Sequence, residues 1–365
     1  MTLIYLDNNA TTPIDPQVFA AMQADLGGLP LNPSSVHSLG QKARQHLQTA
    51  RKDVATFFGF HPEEVIFTSG GTESINLFLR SLPKGHILTS SIEHSAIDET
   101  LKALPSSITR LPVDLTGAVS PEQIQNAIRP DTLAIVLSAS NTETGVKIDL
   151  PSIAQIALAH RIPLFIDAVS YVGKELLTPH PGITAIAISG HKFHGPKGIG
   201  ALLVRSSFSL SPLITGGGQE RMRRSGTENL AGILGLAEAI RILSTRQSSI
   251  TAHIHSLRDH FEKTLQQAIP DLIIQGQGPR ICNVSNLAFP HIDGETLLLQ
   301  LDLAGVAASH GSACSSGALE PSRVLLNMGL SRKQARSSLR FSFSRMNTLE
   351  EVERATDAII RLFRN

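Results

Sequence analysis

The chain has 365 residues, 41% of them hydrophobic and 17% charged, with a formal net charge of +1. That length supports a large core divided between two domains, and the near-neutral balance excludes the basic footprint of a nucleic-acid or membrane-surface protein. The N-terminus has no positive n-region and meets Asp7 too early for a signal peptide, no apolar run spans a bilayer, and only Cys282 and Cys314 are present, so a reduced, cytoplasmic protein with free thiols is expected.

From residue 64 onward, short apolar runs alternate with amphipathic stretches. Strands are predicted at 64–68, 85–89, 107–113, 133–138, 163–167, 184–189 and 201–205. Helices are predicted over 70–82, 94–103, 121–128 and 150–160. Seven near-continuously apolar strands alternating with helices predict an α/β fold whose mostly parallel sheet is covered on both faces. After Gly216-Gly217-Gly218 a helical stretch over 228–268, interrupted by polar residues near 244–250, leads to a smaller α+β unit. That unit is expected to have strands near 272–275, 281–288 and 338–343, with helices near 294–303, 321–328 and 348–363. The expected division is a large domain over 16–250 and a small one built from 1–15 and 251–365.

Ligands of such sheets bind beyond the carboxyl ends of the strands. Thr72, His94, Asn141, Asp167 and the run Ser189-Gly190-His191-Lys192 all fall there. Lys192 follows an apolar strand and precedes a glycine-rich turn, a poor place for a solvated charge. Burial and nearby positive charge would depress its pKa and make it a nucleophilic amine, as a Schiff base with pyridoxal phosphate requires. Lys197, inside the turn, is the competing amine. Asp167 is either the N-cap of the following segment or the partner of a pyridine nitrogen. Gly70-Gly71-Thr72, between a strand and a helix, is either a plain cap or a phosphate cup, with Ser189 and His191 as further donors.

His94 is either structural or a proton relay stacked on a ring. Arg340, alternating with apolar residues, is either a surface pair or an inward clamp for a carboxylate. Cys314, among small residues in Gly311-Ser312-Ala313-Cys314-Ser315-Ser316-Gly317, reads as a thiol that can reach a substrate, whereas Cys282 reads as structural. The histidines lack accompanying metal ligands at suitable spacing, so no metal is expected. There is no hydrolase elbow and no dinucleotide fingerprint.

These segments resemble the NifS-like cysteine desulfurases, class V enzymes of pyridoxal-phosphate fold-type I, from one end of the chain to the other. The resemblance rests on Tyr5-Leu6-Asp7-Asn8-Asn9-Ala10-Thr11-Thr12-Pro13, Thr68-Ser69-Gly70-Gly71-Thr72-Glu73-Ser74, Glu93-His94, Asn141-x-Glu143-x-Gly145 and Asp167-Ala168. It rests further on Ser189-Gly190-His191-Lys192, Arg224-Ser225-Gly226-Thr227-Glu228-Asn229, Gly311-Ser312-Ala313-Cys314 and Arg340-Phe341-Ser342. It implies Lys192 as the Schiff-base lysine, Cys314 as the nucleophile that receives sulfur, and His94 over the ring as acid/base. It gives Asp167 to the ring nitrogen, and the phosphate to Gly71, Thr72, Ser189 and His191. Asn141 would lie near the cofactor's 3′-oxygen and the substrate, and Arg340 would bind the substrate carboxylate. Thr227 would reach the phosphate of a neighbouring subunit, which makes a homodimer part of the site.

The activity so implied converts L-cysteine to L-alanine and leaves a persulfide on Cys314 for a sulfur-acceptor protein, an iron–sulfur scaffold being one candidate. Three departures stand out. Ser170 occupies the position where the family usually has a glutamine that bonds the cofactor's phenolic oxygen; its hydroxyl is too short for that bond unless water bridges it. His310 stands where serine is common and would tune Cys314. The chain stops soon after its last predicted helix, short of the tail with which some relatives engage a scaffold protein. The rival expectations are a selenocysteine lyase or another β-lyase or aminotransferase, and a degenerate scaffold subunit, for which Ser170 is the only support.

Overall fold

The computed structural model describes residues 3–289, 291–311 and 321–364. The order of elements is β1 (Ile4–Tyr5), α1 (Pro16–Leu26), α2 (Ser38–Phe58), β2 (Val65–Thr68), α3 (Gly71–Leu79), β3 (His86–Ser90), α4 (Ser95–Lys102), β4 (Ser107–Leu111), α5 (Pro121–Ala127), β5 (Thr132–Ser138), α6 (Leu150–His160), β6 (Leu164–Asp167), β7 (Ala185–Ser189) and β8 (Gly200–Val204). Then follow α7 (Leu230–Ala268), β9 (Ile273–Ile274), β10 (Val284–Ala288), α8 (Gly294–Leu303), β11 (Val306–Ala307), α9 (Arg323–Asn327), α10 (Arg332–Arg336), β12 (Ser338–Ser342) and α11 (Leu349–Arg364).

The central sheet has seven strands in the order β2-β8-β7-β6-β5-β3-β4. It is parallel from β4 to β7, while β8 runs antiparallel to both β7 and β2. Its strands are apolar throughout because both faces are covered. Ile135, Leu137, Ile166 and Ile186 join the core on one face, and their chain neighbours Val136, Phe165 and Ala187 join the core on the other. Cluster membership thus alternates residue by residue, as the pleat requires. The edge strand β4 is more exposed than the central strands.

The connecting helices carry the start and stop signals their sequences contain. Ser120 and Gln123 close a capping box ahead of Pro121, Asp149 caps α6, and α2 ends at Gly59 in the left-handed conformation (φ +68).

Two differences from the sequence expectations have clear causes. The stretch over 228–268 is one unbroken helix of 39 residues. Its polar residues do not interrupt it because Ser244, Thr245 and Ser249 turn their hydroxyls back onto carbonyls of the preceding turn. The helix runs through residue 250 without a break. The strand expected over 281–288 begins only at Val284, and Cys282 sits in a turn with its thiol donating to the Lys174 carbonyl at 3.2 Å.

The remaining strands form a three-stranded antiparallel sheet, β9-β10-β12, and a parallel pair, β1-β11. The N-terminal segment joins this unit: Ile4 pairs with Val306, and the Asn8 side chain donates to the Ser342 carbonyl at 2.9 Å. It then crosses to the large sheet, where the Thr12 amide donates to the His191 carbonyl at 2.9 Å. No described helix is long and apolar enough to cross a membrane.

A buried ion pair fixes one strained segment. Glu220, Arg221 and Met222 lie consecutively in the left-handed region (φ +46, +58 and +63), where each L-residue costs about 1–2 kcal/mol. The Glu220 carboxylate accepts from Arg51 at 2.6 and 2.8 Å and from the Phe67 amide at 3.0 Å. Removing the guanidinium strands that carboxylate in the core. Arg51→Ala is therefore expected to lower unfolding stability by about 3 kcal/mol, read from the urea transition; a loss below about 1 kcal/mol contradicts this account.

Candidate active site

Three strand ends of the central sheet meet at its carboxyl edge. Asp167 ends β6, Ser189 ends β7, and the loop after β2 opens α3 at Gly71. Gly71 is required where it stands: a Cβ there would lie 2.6 Å from the Val169 side chain, so the start of α3 closes directly on the segment after Asp167. The N-cap of α3 is Gly70, which supplies no side-chain cap, and a Cβ on Gly70 would lie 3.4 Å from Ser189 Oγ. Gly71, Thr72 and Ser189 are thereby gathered at one helix N-terminus, which favours an anion.

Lys192 ends a single 3-10 turn (Gly190–Lys192) directly after β7. Its Nζ donates to the Asn9 and Ala10 carbonyls, the latter at 3.1 Å, so the N-terminal segment forms one wall around the amine. His191 Nδ1 is 3.1 Å from Thr11 Oγ1, and burial with nearby Lys192 pushes its pKa down to about 4. At neutral pH it is an uncharged hydrogen-bonding group.

Asp167 is buried. Its Oδ1 accepts the Val169 amide at 2.9 Å, and burial pushes its pKa up despite the positive influence of His94 and Lys192. A carboxylate so placed calls for a hydrogen-bonded cation, and a protonated ring nitrogen meets that need. His94 caps α4, accepting the Ala96 amide on Nδ1 at 3.1 Å, so the neutral ring carries its proton on Nε2.

Arg340 on β12 is fully buried. It pairs with Asp7 at 2.6 Å and reaches the Thr142 carbonyl at 3.4 Å, while its buried Nε has no hydrogen-bond partner among the described residues. It faces inward with an unsatisfied donor, as an anion clamp would, and Asp7 is the counter-ion that sequence reasoning missed.

Asn141 is also consumed locally: its Oδ1 takes the Glu143 and Thr144 amides, and its Nδ2 donates to the Ile92 carbonyl at 3.2 Å, tying the 141–145 turn to the segment before His94. Ser170 lies half-buried in the turn after Asp167, and Thr227 is exposed. Cys314 lies outside the described residues. The chain on either side of that segment is anchored beside the site. A Cβ on Gly311 (φ +68) would lie 3.7 Å from Ser322, Ser322 donates to the buried Glu143 carboxylate, and Arg323 donates to the Glu93 carbonyl at 2.6 Å. His310, expected to tune Cys314, has its Nε2 3.0 Å from the Arg336 carbonyl.

Glu93 is a further buried group that sequence reasoning passed over because its neighbour His94 drew the attention. Ser90 and Ser138 hydroxyls reach its carboxyl at 2.6 Å and the Ser138 amide at 2.8 Å, yet burial pushes it up to about 7. The native chain holds a proton there that the unfolded chain releases near 4.5, so this contribution to stability is present below that pH and is lost as pH rises through 7. Glu93→Gln mimics the protonated form. Its urea stability relative to the parent is expected to rise by about 3 kcal/mol between pH 4.5 and pH 8; parallel profiles contradict this.

A cavity of about 680 Å³ lies elsewhere, between Ile273, His291, Asp293, Lys333 and Arg336, and contains none of these groups. Among the described residues no cluster of three His, Cys, Asp or Glu is arranged to hold a metal ion.

The family model for aminotransferase class-V matches residues 4–355. The cysteine desulfurase IscS of Dictyoglomus turgidum is 39% identical over 370 residues, covering 98% of this chain and 94% of that protein. That of Methanosarcina thermophila is 40% identical over 367 residues, covering 98% and 91%. The solved NifS-like protein from Rickettsia africae superposes with a TM-score of 0.92 at 32% identity, covering 100% of both chains.

Proposed function

Because the chain belongs to the aminotransferase class-V family, and within it is a pyridoxal-phosphate-dependent cysteine desulfurase, we propose that the site at the ends of β6 and β7 is where L-cysteine loses its sulfur. The observation that carries this reading is the buried Asp167 carboxylate under the positive influence of His94 and Lys192.

Lys192 would hold the cofactor covalently, Asp167 would face its ring nitrogen, and Gly71, Thr72, Ser189 and His191 would cradle its phosphate. Asn141 and Ser170 would border its phenolic side. When bound, the cofactor supplies an electron sink at the substrate Cα. The protein's own groups do the rest. Arg340 would fix the substrate carboxylate, which orients Cα toward Lys192 Nζ. Lys192 Nζ takes the Cα proton, and His94 Nε2 exchanges protons with the reacting sulfur.

The Cys314 thiolate then attacks the substrate sulfur. The new S–S bond forms as the Cβ–S bond breaks, and the electron pair left on the alanine fragment is protonated before alanine departs. The persulfide on Cys314 is passed to a sulfur-acceptor protein. Exposed Thr227 would complete the phosphate site of a second copy, so the working unit is a homodimer.

The test is product analysis. With L-cysteine and a thiol reductant, alanine and sulfide appear in equal amounts, and without reductant the Cys314 peptide gains one sulfur. Pyruvate and ammonia in place of alanine contradict the reading.

A further inference from the structure

A second lysine lies buried behind Lys192 and takes no part in the chemistry above. Lys174 is 4% exposed and donates through its Nζ to the backbone carbonyl of Lys192. Its own carbonyl is held by the Thr251 hydroxyl of α7 at 2.9 Å and by the Cys282 thiol at 3.2 Å. A small cavity lined by Thr12, Lys174, Lys192, Phe193, His194 and Arg345 separates this turn from α7 and β12. An ammonium in such a place is costly unless it is needed there, because Lys174 has no carboxylate partner among the described residues.

We propose that Lys174 is a positioning residue for Lys192: it pins the 190–192 turn through the Lys192 carbonyl and sets a positive charge behind the amine that carries the cofactor. The inference rests on Lys192 being that amine. Burial first, and then the charge of Lys192, push Lys174 down to about 7. Charge–charge energy is mutual, so a protonated Lys174 disfavours a cation at Lys192 Nζ by the same amount.

The groups that face this pair leave that coupling in force. His191 and His194 on the same turn are neutral, pushed down to about 4 and about 3 chiefly by burial. Arg345, after β12, is itself paired with Asp15 at 2.6 Å. The Cys282 thiol is pushed up to about 12 and stays uncharged, Glu175 pairs with Lys147 at 2.9 Å, and Arg258 on α7 pairs with Asp259 at 2.8 Å. Asp167 is an anion whose charge reaches Lys192, and it belongs to the cofactor site.

The experiment is a pH titration of the visible absorbance band of the holoenzyme, which reports the protonation of the nitrogen that joins Lys192 to the cofactor. Lys174→Met, which removes the charge, is expected to raise the midpoint by about one pH unit. Lys174→Arg, which is charged at every accessible pH, is expected to leave it at or below the wild-type value. A Met midpoint that is unchanged or lower, or an Arg midpoint that rises, overturns the proposal; if the Met variant does not fold, Lys174→Gln, which also removes the charge, takes its place with the same expectation. A purely structural lysine moves neither midpoint. A wild-type protein that stays colourless with pyridoxal phosphate fails the Lys192 reading instead, whereas a coloured charge-removing variant with an unmoved midpoint fails only this one.

Discussion

Lys192→Ala is expected to give a folded protein that binds pyridoxal phosphate only reversibly and turns over cysteine at least about 10⁴-fold more slowly, a loss of about 5.4 kcal/mol in transition-state stabilisation. The physical reason is that one amine serves twice, as the covalent anchor and as the base at the substrate Cα. No other described amine can substitute from the same place: Lys174 is turned toward the backbone of Lys192, and Lys197 lies exposed in the glycine-rich turn. The fold should survive, because the Asn9 and Ala10 carbonyls to which Lys192 Nζ donates belong to a segment that the Thr12 amide also ties to the His191 carbonyl. Dialysis followed by absorbance spectroscopy, together with alanine release, checks both parts. Retention of a borohydride-reducible chromophore in this variant would contradict the assignment.

Asp167→Asn is expected to lower kcat/KM by about 10³-fold, or about 4 kcal/mol, with little loss of folding stability. The Val169 amide and the positive influence of His94 and Lys192 offset only part of the cost of burying this carboxylate, and its pKa is pushed upward in the folded chain. An amide of the same shape keeps the Val169 bond through its oxygen and removes the buried charge. What it cannot do is hold a proton on the ring nitrogen, so the electron sink weakens. Steady-state kinetics and a urea transition on the same preparation separate the two effects. Equal losses in stability and rate would mean that Asp167 is a structural cap.

Much of the large sheet was legible because its strands are buried on both faces and its helices carry local caps. Runs such as Leu133–Ser138 and Leu164-Phe165-Ile166 permit no polar interruption, so their ends, and with them Asp167 and Ser189, stand out. The reading over 244–250 failed because Ser244, Thr245 and Ser249 satisfy their hydroxyls within the helix, and composition does not say where a hydroxyl points. The helices over 16–26 and 38–58 went unread. The second has a buried stripe in Ala43, Leu47, Ala50, Val54 and Phe58, but the polar residues between them dilute its apolar signal.

At the site, residues that follow strand ends could be named from sequence, whereas their partners could not. Asp7 meets Arg340 across 333 residues of chain, and Lys174 meets the Lys192 carbonyl across a turn and a strand. Such pairings depend on how the N-terminal segment and α7 pack over the sheet, which no local pattern encodes. Glu143 is the same case: its buried carboxyl accepts from the Ser322 hydroxyl, 179 residues further along the chain.

Borohydride reduction of the coloured protein, followed by peptide mapping, is the sharpest check on the whole scheme. The visible band should vanish, and the pyridoxyl group should be found on Lys192 in the peptide that contains Ser189-Gly190-His191. A label on Lys174 or Lys197, or no covalent label at all, would contradict it.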